Sequence, residues 1–130
     1  MATQIVIANK ESILIDDSYG IEWADKGKNW VDAWCPDNYH YVIWNNLSGQ
    51  NEIQTKNAST GAMTGNTDLN ATSDSVGSTT VADLLTWAET RKGQIEQAKT
   101  DFDTAVQADV DNGTTNTVGK TWRDYDSNYS

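Results

Sequence analysis

Several residue types that commonly organise metal, redox or nucleophilic chemistry are almost missing. Of 130 residues, one is cysteine, one histidine, one proline and one phenylalanine. A lone Cys35 excludes an intramolecular disulfide and any multi-cysteine zinc or iron–sulfur site. Basic residues are also few, nine against nineteen acidic ones, for a net charge of −10. Nucleic-acid backbones and anionic membranes are attracted by clustered Lys and Arg, so neither is an expected partner. No apolar run approaches the roughly 18 residues of a membrane-spanning helix. The run at Ile5-Val6-Ile7-Ala8 is too short for a signal sequence and has no basic segment before it. These absences predict a protein made and folded in a cytoplasm. What is present in excess is tryptophan, six residues of it, together with Asn, Ser and Thr.

Residues 1–54 read as a small antiparallel β-meander of four to six strands. Segments 3–8 and 12–15 are β-branched runs separated by Asn9-Lys10-Glu11, a three-residue hairpin signal. Residues 16–20 supply turn chemistry, 21–24 and 30–34 are shorter strands, and Pro36 marks a boundary because it cannot donate to a central ladder. Segment 39–44 is aromatic and β-branched apart from His40, and 51–54 returns beside it.

Residues 55–80 are mostly Ser, Thr, Asn, Gly and Asp, with isolated Met63, Leu69 and Val76. Such a segment buries too little apolar area to offset its ordering entropy, which predicts an extended linker or an arm ordered on a neighbour. The triplets Asn57-Ala58-Ser59 and Asn70-Ala71-Thr72 match a glycosylation pattern but are expected by chance in this composition.

A long helix is predicted over 81–110, with Thr80 as N-cap and Asp83 three residues on. Val81, Leu84, Ala88, Arg91, Ile95, Ala98, Phe102 and Ala105 form a heptad-like seam, thickened by Leu85 and Val106. Thirty residues make a rod of about 45 Å, more than a small sheet needs for cover. The seam is therefore a candidate interaction surface, with Arg91 either fixing register in a self-associating helix or snorkelling in a monomer. Gly93 weakens the helix interior or admits another backbone. Asp111-Asn112-Gly113 ends the helix, and 111–130 has no periodicity. The fold class is thus α+β: β-meander, polar arm, one long C-terminal helix and an irregular tail.

Candidate chemistry is sparse. Cys35 and His40 could pair as nucleophile and base, but packed hydrophobe and cross-strand residue are the simpler roles. Asp109-Val110-Asp111-Asn112-Gly113 opens like a calcium loop, then places Gly113 at an acidic position and Thr114 at the glycine position. Asp124-Tyr125-Asp126-Ser127-Asn128 has three ligand positions, then Tyr129 in place of glycine. No catalytic, metal or cofactor residues are assigned. Trp30, Trp34, Tyr39, Tyr41 and Trp44 form either an aromatic platform for sugar rings or the bulk of an aromatic core.

Pro36, the run His40-Tyr41-Val42-Ile43-Trp44, Gly49 and Glu52-Ile53 together resemble a strand–turn–strand unit of small tailed-bacteriophage proteins. The helix bearing Trp87, Arg91, Ile95 and Ala98 is similar to the one that often closes such chains. The resemblance implies a structural, non-enzymatic virion protein of the tail or fibre, bound to other virion proteins or to copies of itself. It equally implies a tail-fibre assembly chaperone. A carbohydrate-binding module using the Trp-rich face is a further reading of the aromatics.

Overall fold

The structure, a computed structural model, describes residues 5–9, 13–16, 21–23 and 34–127. It has the α+β architecture and comprises two compact units, Met1–Glu89 and Thr90–Ser130.

The first unit is built on a six-stranded antiparallel sheet. Its strands are β1 (Ile5–Ala8), β2 (Ile13–Asp16), β3 (Ile21–Trp23), β4 (Tyr39–Asn45), β5 (Gln50–Lys56) and β6 (Met63–Asp68), in the order β3-β2-β1-β4-β5-β6. This is not the single meander expected from strand succession. Two three-stranded meanders meet at β1 and β4, and the reason is burial. Strands 39–45 and 5–8 are the most continuously apolar, and a strand covered on both faces belongs at the sheet centre. Val42, Ile43 and Trp44 are accordingly all buried in succession. The 30–34 strand is corrected at Trp34, which lies in no strand; residues 30–33 are outside the described residues.

Register places Val6 opposite both Ile15 and Trp44, Ala8 opposite Ile13 and Val42, and Val42 opposite Ile53. One face of the sheet therefore carries a continuous apolar layer, all of it buried. Each such aliphatic side chain contributes about 1.5–3 kcal/mol on burial, enough for this layer to dominate the unit's stability.

The polar segment 55–80 is not an arm. Residues 63–68 pair with β5, and β7 (Ser75–Val76) and β8 (Thr79–Thr80) form a second, two-stranded sheet. Polar side chains order it locally. Asn57 Oδ1 accepts the N–H groups of Ser59 and Thr60, and Asp74 Oδ2 accepts those of Asn70 and Ala71. These bonds hold the Asp74 carboxyl below its ordinary value. The β domain consequently reaches beyond residue 54.

Helix α1 (Val81–Asn112) follows β8 directly. The first three helical N–H groups, which have no intrahelical partner, donate to Asp74 O, Thr72 O and Thr80 Oγ1. The turn before it depends on Gly77, whose φ of +60° favours glycine and whose missing side chain leaves room for Trp34 O. Gly77 N–H donates to Tyr39 Oη at 2.8 Å.

In the second unit the tail doubles back along the helix. Gly113 (φ +65°) and the Thr114 N–H to Asp109 O bond close the helix as a Schellman motif. A short 3-10 helix, η1 (Trp122–Tyr125), is capped at Thr121 by a reciprocal capping box. The tail is thus folded rather than irregular throughout.

Candidate functional site

The helix seam is core. Val81, Leu84, Ala88, Arg91, Ile95 and Ala98 are buried within the chain itself, and Leu85 and Phe102 are half-buried. A seam already covered offers no surface to a partner helix, which corrects its reading as an interaction site. Arg91 does not set the register of a coiled coil. Its Nη1 and Nη2 donate to the two Asp126 carboxylate oxygens at 3.2 and 2.5 Å, with both side chains buried. Around this pair, Phe102 packs on Tyr125, and Lys99 and Arg123 lie 5.5 and 4.6 Å from the Trp122 ring centre. Among the described residues, Gly93 has nothing within 4 Å of where a Cβ would stand, so none of their backbone uses it for close approach.

The aromatic face is likewise corrected. Trp34 and Trp44 are 5% and 6% exposed and cannot stack on a sugar ring. Trp44 Nε1 is buried without an acceptor. Tyr39 is half-buried and its hydroxyl takes the Gly77 N–H. Trp30 lies outside the described residues. Tyr41 points, with Ile43, to the side opposite the apolar layer, because it registers with Gln54 while Val42 registers with Ile53. A bulge between Tyr39 and Tyr41 sets this phase. Cys35 is buried and its Sγ lies 3.7 Å from Pro36 O, whereas His40 stacks edge-on to Tyr41 at 4.6 Å.

The calcium-like run at 109–113 has a different use. Asp109 accepts from Thr114 Oγ1, Asn116 N, Thr117 N and Thr117 Oγ1 at 2.5–3.1 Å. The Thr114 hydroxyl first, then Thr117, lower its pKa to about 2. With its oxygens engaged by four donors of the chain, the carboxylate caps a helix end. The spacing of Asp109, Thr114 and Thr117 was the available signal, a side-chain cap extending past the glycine.

One of the two edge strands, β6, was missed in the sequence and stands out in the structure. All six residues of β6 are exposed, Met63 by 54%, and only Asp68 is charged. Among the described residues, β6 pairs with β5 alone. Leu69 donates its N–H to Asn51 O at 2.8 Å in line with the Thr67–Ile53 pair. Antiparallel alternation then turns the N–H groups of Asn66 and Asp68 away from β5. Beside this edge, Glu52 Oε2 accepts Gln54 Nε2 at 3.1 Å and Asn66 Nδ2 at 3.2 Å, and Oε1 accepts Gln50 Nε2 at 3.4 Å. Gln54 first, then Asn66, hold the carboxyl below its ordinary value against an opposing effect of burial.

No known protein family, curated protein or solved structure matches the chain.

Proposed function

We infer that the chain is a structural, non-enzymatic assembly protein that joins neighbouring subunits through the open edge of its sheet. The observation that carries this reading is β6: six exposed residues, with outward N–H groups at Asn66 and Asp68. An edge strand presents a ready template for another strand, and edges are ordinarily blunted by Lys, Pro, charge or cover. Strand 63–68 has no Lys or Pro and no charge before Asp68.

The occupant that fits is β6 of a second copy, antiparallel. Pairing centred on Asn66 sets the two Asp68 carboxylates about four residues apart along the strands, about 14 Å at 3.4 Å per residue. That exceeds the Debye length of about 8 Å at physiological ionic strength. Parallel pairing would set them side by side. In the setting that the phage resemblance implies, such a unit is a tail- or fibre-associated virion component; a fibre-assembly chaperone is the alternative.

Light scattering on size-separated protein tests the edge. The wild type should show twice the 14.3 kDa chain mass, and Asp68→Pro and Asn66→Pro, each deleting one outward N–H, should run as monomers with helical circular dichroism intact. A monomeric wild type, or dimers that survive both substitutions, overturns the reading. Mass spectrometry of purified virus particles separates a virion component, which is present, from a chaperone, which is not.

A further inference from the structure

The C-terminal end of α1 brings a carboxamide next to the backbone nitrogen best able to attack it. Among the asparagines of the chain, only Asn112 is followed by glycine. A glycine N–H has no side chain beside it to shield the approach. The reaction open to such a pair is intramolecular. The Gly113 nitrogen attacks Asn112 Cγ, a C–N bond forms, and the Cγ–Nδ2 bond breaks with release of ammonia. Water then opens the five-membered imide at either carbonyl. One opening leaves aspartate; the other routes the main chain through the side-chain carbonyl and leaves isoaspartate. Nothing is oxidised or reduced, and water is the only co-reactant.

The folded geometry opposes this closure. Asn112 is exposed and is the last residue of α1. Ring closure needs its ψ turned well away from the helical value of about −42°, so that the Gly113 nitrogen swings toward Cγ. Three sets of bonds resist that rotation. Asn112 Nδ2 donates to Ala108 O at 2.9 Å, which draws the carboxamide back along the helix. Gly113 is followed by the Thr114 N–H, which donates to Asp109 O at 3.0 Å. Past that bond, the Asp109 carboxylate clamps Thr114, Asn116 and Thr117 through four more. Turning ψ moves everything after Asn112, so the clamp must open first. Opening of a helix end is a local event that leaves the rest of a fold intact.

We propose that Asn112 is a site of spontaneous deamidation whose rate is set by opening of the Asp109 clamp. The helix end does not re-form afterwards as it was. An aspartate has no N–H to give to Ala108 O, and it adds a negative charge beside Asp109 and Asp111 at the end where the helix dipole disfavours one. An isoaspartate also lengthens the main chain by one methylene. The clamp is therefore lost in one direction only, while the buried Arg91–Asp126 pair keeps η1 anchored. Edge pairing through β6 plays no part in this chemistry.

Peptide mapping by mass spectrometry, on the full chain incubated at mildly alkaline pH, provides the test. The wild type should gain the mass of one deamidation at Asn112 before any other asparagine reacts, and should react many times faster in denaturing urea than when folded. Thr117→Val and Thr114→Val each delete one hydroxyl donor to Asp109. Each should raise the folded rate about ten-fold, equivalent to about 1.4 kcal/mol, and leave the rate in urea unchanged. Hydrogen exchange on the modified chain should show protection lost at 114–118 and kept in η1. Reaction first at another asparagine, a folded wild type as fast as the chain in urea, threonine variants no faster than the wild type, or protection lost in η1 overturns the proposal.

Discussion

The Arg91–Asp126 pair should respond asymmetrically to single and double substitution. Its side chains are 4% and 0% exposed, and two hydrogen bonds join guanidinium to carboxylate. Removing either partner leaves a buried charge without its counter-charge, which costs about 3–5 kcal/mol. Typical stabilities are about 5–15 kcal/mol, so Asp126→Leu or Arg91→Met alone should remove a large share of the total. The double variant removes both desolvation costs together with the attraction, and Met and Leu restore apolar contact beside Ile95 and Phe102. It should lie within about 1 kcal/mol of the wild type. The coupling energy of the cycle should then be about 3 kcal/mol or more, at the top of the range for contacting residues. Urea unfolding followed by circular dichroism at 222 nm, with the emission of Trp122 compared against a Trp122→Phe background, measures all four corners. Additive losses, or an Asp126→Leu cost below about 1 kcal/mol, would place the pair in solvent and refute its role as the anchor of the tail.

Asp109 should titrate near pH 2 in a carboxyl-detected NMR experiment, well below its ordinary 3.8. Because the folded value lies below the unfolded one, its contribution to stability is complete above about pH 4 and fades as pH falls toward 2; a midpoint near 3.8 would contradict the cap. Gly77→Ala places a Cβ 2.0 Å from Trp34 O at a φ of +60°, and should cost about 3 kcal/mol or more from clash and backbone strain together. Gly61→Ala has a comparable φ of +77° but open space, and should cost about 1–2 kcal/mol; equal shifts in melting temperature for the two would falsify the close approach. Acrylamide quenching of single-tryptophan variants should find Trp44 protected and Trp122, half-buried under Lys99 and Arg123, more accessible.

Helix α1 was legible because each of its signals is local: the cap at Thr80, the 3–4 spacing from Val81 to Phe102, and the glycine after Asn112. Strand 39–45 was legible for a like reason, since β-branched and aromatic residues in succession have few other uses. What covers an apolar seam is not local. Nothing in the spacing of Arg91 points to Asp126, thirty-five residues on, so the sequence alone allowed a partner helix where the chain supplies its own tail. The bulge at His40 is equally silent in the sequence, yet it decides that Tyr41 faces outward and Trp44 inward.

The segment 55–80 shows a more general point about polar sequence. Its composition suggested that ordering entropy could not be offset, which is sound for a segment that must be ordered by apolar burial. Here the neighbouring strand β5 supplies a ladder, and the Asn and Asp residues supply turns. Asn57, first met as part of a chance glycosylation triplet, accepts two backbone N–H groups of the β5–β6 turn, and its own N–H donates to Ala62 O. Asp74 does the same ahead of the helix. Asn and Asp are turn formers because their side chains mimic a backbone carbonyl two residues on, so a run rich in them reads as loop by composition and as hairpin by spacing. The cost of ordering a strand through ladder and turn bonds, without covering it, is an edge left open to solvent. Residues 63–68 are that edge, and the polarity that hid them in the sequence is what lets an uncovered strand face water.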